Sequence, residues 1–346
     1  MVKKDYLKEG GDFHKYDDVS SFLIWGKHPV NPKFTIMIPT YRRHDFLKQS
    51  LYSALNQENF MDYEIIISDN DAKGEILKEN LEFVSKINSE RVVYYKNEKN
   101  IGIYGNTLRA AQLAHGQYVV LLNDDDLLHP RYLEIVNAFI EKYAYKGIIG
   151  SQPYPFRRDD FVFPAMDKKI YAFDVSKVEF FFGCSVTSPG LMIPREILEN
   201  VYNAHEKLLM GDQIIQYKGI KKYSLTFINF PLAAYRIANN ATLKDTVLTE
   251  MIIHMCGFRK QTAKDSWKLK AFMAIFEKEY FYSYVQSSLN FWKKRGLGKN
   301  ISRELGLEHI KRWSPKVVLY LDLVDRMHRW YAREHDRKYD FIEVEL

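Results

Sequence analysis

Cysteine is scarce in this chain of 346 residues, where Cys184 and Cys256 are the only two. Two thiols so far apart build neither a disulfide framework nor a thiolate metal cluster, so a reducing cytoplasm is the expected compartment. Long apolar runs are missing too: no window reaches the roughly 18 uninterrupted apolar residues of a membrane span. The N-terminus, "MVKKDYLKEGGDFHKYDD", has no apolar stretch of the kind a secretion leader needs. The ten histidines occur without HExxH or a similar ligand spacing, and there is neither a serine nucleophile elbow nor a Walker loop. The expectation is a cytoplasmic protein that at most lies peripherally on the inner face of a membrane.

What is present suits a globular chain: 46% hydrophobic, 27% charged and 15% aromatic residues. The length exceeds one average domain and suggests a core of about 200 residues plus an appendage. The net charge of +6 is unevenly placed, because residues 257–346 hold 19 Lys and Arg against 12 Asp and Glu. The remainder is close to neutral.

Residues 34–39, "FTIMIP", read as a strand buried on both faces. The apolar spacing of "RHDFLKQSLYSALNQ" then predicts a helix. The alternation continues with strands at 63–69, 91–95, 117–122 and 147–151, and with helices over 75–87, 104–114 and 130–144, the last with Pro130 in its first turn. Such βαβ units imply a mostly parallel sheet whose ligands bind at the carboxyl ends of the strands. Pro39, Thr40, Tyr41, Asp69 and Asp124-Asp125-Asp126 all fall just past strand ends and are expected to line one crevice. From 152 to about 243 aromatic and proline-bearing loops take over, with a helix predicted at 212–220. Beyond 244 the pattern is helical, at 246–262, 266–293, 301–312 and 316–335.

The three aspartates of "LLNDDDLLHP" repel one another unless a cation compensates, and hard carboxylate oxygens suit Mg²⁺ or Mn²⁺ shared with a diphosphate. An acidic first helix turn is the simpler reading of the same residues. Tyr41 could stack on a nucleobase or sit in a surface turn. Asp69 could accept from a base N–H or close an Asx turn in "SDND".

"FTIMIPTYRRHDFLKQSLYSALNQ", "YEIIISDNDAKGE" and "NEKNIGIYGNTLRAAQLAHGQYVVLLNDDDLLHPRYLE" together resemble family 2 glycosyltransferases of the GT-A fold. The resemblance runs through about 34–150 with its blocks in order. It implies a nucleotide-sugar donor, a Mn²⁺ or Mg²⁺ ion and inversion at the anomeric carbon. By the same resemblance Pro39, Thr40 and Tyr41 fall in the base pocket and Asp69 faces the base. Asp124 falls at the ribose and Asp125 at the metal, with Asp126 beside it. Asn123 stands where many members have the first Asp of the motif. Gly102 and Asn106 match a turn and helix that approach the donor, although a turn glycine and a helix cap would read alike.

Inversion needs a carboxylate to take the acceptor's proton. "HEKLLMGDQIIQYKG" resembles the family segment in which the second of two acids is the base, which points to Asp212. Gly211 replaces the first acid. Asp212 also reads as an N-cap, and Glu206 is the nearest substitute base. "AAYRIANNAT" resembles the Arg-x-His region near the diphosphate; Arg236 is kept and Ala238 stands at the histidine.

The C-terminal helices mix Trp292, Trp313 and Trp330 with Lys and Arg. That mixture suits an anionic membrane surface, and equally a packed or self-associating helical unit. No motif supports nucleic-acid binding. The expected organisation is therefore an N-terminal extension (1–32), an α/β GT-A catalytic domain (33–243, with a nucleotide-sugar half at 33–150 and an acceptor half at 151–243) and a helical C-terminal region (244–346). The expected function is transfer of a sugar, from UDP first, to a saccharide or lipid-linked glycan. A sugar nucleotidyltransferase is disfavoured because "PTYRRHD" lacks glycine. A non-catalytic sugar-nucleotide-binding scaffold draws its support from Gly211 and Ala238.

Overall fold

The computed structural model describes residues 5–7, 13–166, 170–202, 210–238, 244–312 and 314–338. Glu206 and Trp313 lie outside them.

The predicted strand–helix series forms as β2 (Phe34–Thr40), α1 (His44–Leu55), β3 (Tyr63–Asp69), α2 (Leu77–Ile87), β4 (Val92–Asn97), α3 (Gly102–Gln112), β5 (Tyr118–Leu121), α4 (Tyr132–Tyr143) and β7 (Ile148–Ser151). Before it, β1 (Ser21–Trp25) draws the expected extension onto the sheet edge by pairing antiparallel with β4. All seven residues of β3 and six of seven in β2 are buried, as strands covered on both faces must be. Pro130 precedes the α4 N-cap, Arg131, and so lies outside the first turn where it was expected.

β2, β3, β4 and β5 run parallel. The sheet as a whole is mixed: most of its strands share this direction, as expected, and three antiparallel strands are added to them. Its order is β1-β4-β3-β2-β5-β10-β7-β11-β9, with β9 (Ala172–Asp174), β10 (Leu191–Pro194) and β11 (Leu225–Ile228) supplied by the sequence after residue 151. β10 inserts antiparallel between β5 and β7, so the four buried residues of "LMIP" complete the core from the far half of the sequence. A second sheet joins β6 (Leu127–Leu128), β12 (Ala233–Arg236) and β8 (Tyr154–Phe156).

One apolar cluster fills each face of the main sheet, and a third lies among α5 (Lys177–Phe181), α8 (Asp245–Thr262), α9 (Trp267–Phe291), α10 (Gly298–Glu304) and α11 (Pro315–Lys338). α10 is shorter than the predicted 301–312, because Gly306 turns the chain with φ +67 just past its C-cap.

Candidate active site

The carboxyl ends of β2, β3 and β5 lie side by side, and the segment after β5 returns across them. Thr40, the last residue of β2, donates from Oγ1 to Asp124 Oδ2 at 2.8 Å. Arg43, just before α1, places Nη1 3.2 Å from Asp124 Oδ1 and 2.5 Å from Asp125 Oδ2. One guanidinium thus bridges two carboxylates, and a cation is already present where the sequence demanded one. It comes from the protein itself. Burial, then the charge of Asp125, pushes the Asp124 carboxyl up to about 6.

Asp126 differs from its two neighbours and is fully buried. Its Oδ1 accepts from the Arg236 backbone N–H at 2.8 Å and its Oδ2 from Asn123 Nδ2 at 2.7 Å. Burial holds this carboxyl well above the ordinary range. The expectation that Asp126 helps bind metal is therefore corrected: it ties the loop to β12. Asn123 also donates to Ser188 Oγ at 2.9 Å. An Asp at 123 would set a carboxylate against Asp126, so the missing first acid has a local cause.

Arg236 was expected near the diphosphate. It is instead 2% exposed and lies beneath the cluster. Its Nε donates to Asp125 O at 2.9 Å, Nη1 to Asp159 Oδ1 at 2.6 Å and Nη2 to Gln49 Oε1 at 2.5 Å, while its guanidinium sits 4.4 Å from the Phe156 ring centre. These contacts give it a supporting place under the Asp125 backbone rather than a phosphate-facing one.

Two further expectations change for the same reason. Asp69 is fully buried, accepting from Tyr94 OH at 2.5 Å and from the Asp71 backbone N–H at 2.8 Å. The second bond is the Asx turn, and burial raises this carboxyl. Asn106 is buried mid-helix, donating to Ser68 O at 2.8 Å and Thr40 O at 3.2 Å and accepting from Asn97 and Ser68 side chains. It clamps three strand ends and is neither a helix cap nor open to a ligand.

Pro39 pairs with Ser68 within the sheet and only Tyr41 of this group is widely exposed, 43%, with the Arg42 guanidinium 5.1 Å from its ring centre. Gly102 opens α3 with φ +77, a conformation that glycine adopts without strain, and its carbonyl accepts from Asn70 Nδ2 at 3.2 Å. It supplies the turn.

Asp212 is the second residue of α7 (Gly211–Lys222), whose N-cap is Met210, so the capping reading is set aside. The half-buried carboxylate accepts from the Gln213 backbone N–H at 2.9 Å, and burial pushes it up to about 6. Tyr104, on α3, packs against the start of α7, where a Cβ built on Gly211 would meet its Cε1 at 2.8 Å, and burial, then the charge of Asp212, raises its phenol. A shared contact thus joins α3 to the helix that carries Asp212.

Sequence reasoning missed Arg43 and Tyr104. "TYRRHD" placed two cations straight after a strand whose neighbour ends in three aspartates, and charge balance alone could have singled out one of them. Tyr104 left no such signal.

Residues 35–202 match the model of "Glycosyl transferase family 2". An uncharacterized glycosyltransferase of Methanocaldococcus jannaschii is 25% identical over 262 residues, 73% of this chain and 87% of that protein. The Campylobacter jejuni GalNAc(5)-diNAcBac-PP-undecaprenol beta-1,3-glucosyltransferase is 33% identical over 116 residues, 33% of this chain and 37% of that enzyme. Staphylococcus aureus TarS 1–349, solved in complex with UDP-GlcNAc, is similar in fold with a TM-score of 0.53 at 15% identity, covering 84% of this chain and 80% of that one.

Proposed function

This chain belongs to glycosyltransferase family 2, and from that premise we propose that it moves a sugar, with inversion and with help from a divalent cation, from a nucleoside diphosphate to a saccharide or lipid-linked glycan. The observation that carries the proposal is the pair Asp124 and Asp125, converging on one guanidinium where β2 and β5 end. Two carboxylates that already share a cation have the charge and the oxygen donors that Mn²⁺ or Mg²⁺ takes. Asp125, with Asp124, would hold the ion, and Arg43 would give way or turn toward the donor. When bound, the ion would neutralise charge on the departing diphosphate.

In this reading Tyr41 offers its exposed ring to the base and Thr40 orients Asp124 toward the ribose. Asp212 takes the proton of the acceptor hydroxyl while that oxygen attacks the anomeric carbon. The bond to the diphosphate breaks on the opposite face, and its electron pair leaves with the phosphate oxygen. A carboxyl near 6 is ionised at neutral pH yet basic enough to accept a proton. UDP is the first candidate nucleotide, supported by the UDP-GlcNAc held by TarS. A lipid-linked acceptor draws its support from the Campylobacter relative's name.

No described helix is long and apolar enough to cross a membrane. Contact with an anionic surface, or with a second copy, would fall to α11, where Leu319 is 57% and Trp330 56% exposed.

The test is thermal stability of wild type and Asp125→Asn with UDP, dTDP, GDP and CDP, each with and without Mn²⁺. Ligands of the folded state raise the midpoint by mass action. One nucleotide should raise it, only with Mn²⁺ and only in wild type. No shift with any pair would sink the donor reading.

A further inference from the structure

Far from the crevice, a buried carboxylate and two imidazoles meet at the amino ends of the same strands. Glu64 is the second residue of β3 and fully buried, and it lies five positions before Asp69 at the other end, roughly 16 Å at a strand's rise per residue. His28 comes from the loop before β2 and His115 from the loop before β5. One side-chain donor atom from each of the three lies within 4.8 Å of the other two.

The surroundings fix Glu64 and His28 closely. Glu64 Oε1 accepts from Thr35 Oγ1 at 2.6 Å and from the His115 backbone N–H at 2.7 Å. Gly116 allows this approach, since a Cβ there would meet Thr35 N at 2.5 Å. Glu64 Oε2 is left to face His28 Nδ1 at 2.7 Å. The other nitrogen of His28, Nε2, is 2.8 Å from Tyr95 OH, the kind of outer partner that sets a ligating imidazole's tautomer. The His115 ring stacks on His28 with centres 3.6 Å apart.

A hydrogen-bonded brace would require only His28 and Glu64. The second imidazole, exposed and able to turn about χ2, completes a His₂Glu set with its solvent side open. Two nitrogens and one carboxylate oxygen from three segments are what Zn²⁺ accepts with water as fourth ligand. We propose that His28, Glu64 and His115 form a zinc site that pins the loops preceding β2 and β5 to the start of β3. It is independent of the Asp124–Asp125 pair and of the sugar-transfer reading.

Metal-free full-length protein would be titrated with Zn²⁺ against a chromogenic chelator, in wild type, His115→Ala, His28→Gln and Asp125→Asn. Wild type and Asp125→Asn should share one tight zinc site of the same affinity. His115→Ala, which removes only an exposed ring, should bind at least about tenfold more weakly, as should His28→Gln. Co²⁺ in place of Zn²⁺ should give a visible absorption band that His115→Ala loses. Equal zinc affinity in wild type and His115→Ala, loss in Asp125→Asn instead, or no binding to wild type would each overturn the proposal and leave the cluster as a hydrogen-bonded brace.

Discussion

The Tyr104 ring fills the space that a side chain at Gly211 would need: a Cβ built on Gly211 would lie 2.8 Å from Tyr104 Cε1. Position 211, where the family resemblance leads one to expect an acid, is thus glycine for a steric reason found on another helix. The same ring packs directly against the residue that precedes Asp212.

Gly211→Ala should therefore act on Asp212 through Tyr104. The overpacking should cost about 1–3 kcal/mol of stability, readable by urea denaturation. Transfer should lose more in kcat than in the donor's KM, because the start of α7 moves while the carboxylate crevice does not. Unchanged stability and kcat would mean that the ring is free to step aside.

Asp212→Asn should abolish transfer and leave nucleotide binding intact. In wild type, kcat/KM should fall as pH drops through about 6, where this carboxylate takes up a proton. The sign for stability runs the other way. The folded state holds the proton more tightly than the unfolded chain near 3.8, so ionisation disfavours folding as pH rises from about 4 to about 6. Asp212→Asn should then be more stable than wild type at pH 7, by up to about 3 kcal/mol at the usual conversion of a pKa shift, and should show little difference at pH 4. Denaturation at both pH values checks this.

Arg43→Gln removes the cation between Asp124 and Asp125. Mn²⁺ binding without nucleotide, followed by electron paramagnetic resonance, should tighten, since the ion no longer displaces a guanidinium. If Mn²⁺ binds this variant more weakly, the guanidinium does not occupy the ion's place.

Arg236→Met should destabilise by about 2–4 kcal/mol, because it leaves Asp125 O and Gln49 Oε1 without a donor beneath the cluster. A variant that unfolded like wild type but lost only diphosphate affinity would return Arg236 to the donor side.

The alternation of strands and helices from 34 to 151 was legible because it rests on local periodicity, which each segment carries in itself. The placing of Thr40 beside Asp124 followed from a topological rule about strand ends. The insertion of β10 was not legible: "LMIP" was expected to lie in a proline-bearing loop, and it becomes a strand because packing of the two halves brings β5 and β7 to either side of it.

Within the site, residue type and position along the chain determined which carboxylates gather after β5. Only the tertiary structure decided which of them face outward. Asp126 is sealed by a backbone N–H from 110 residues away, Asp69 by Tyr94 and Asn106 by three strand ends, while Arg43 reaches 81 residues to Asp124. A buried carboxylate or amide takes whatever partner the fold brings within 3 Å, and distant residues meet there only once the strands between them have paired.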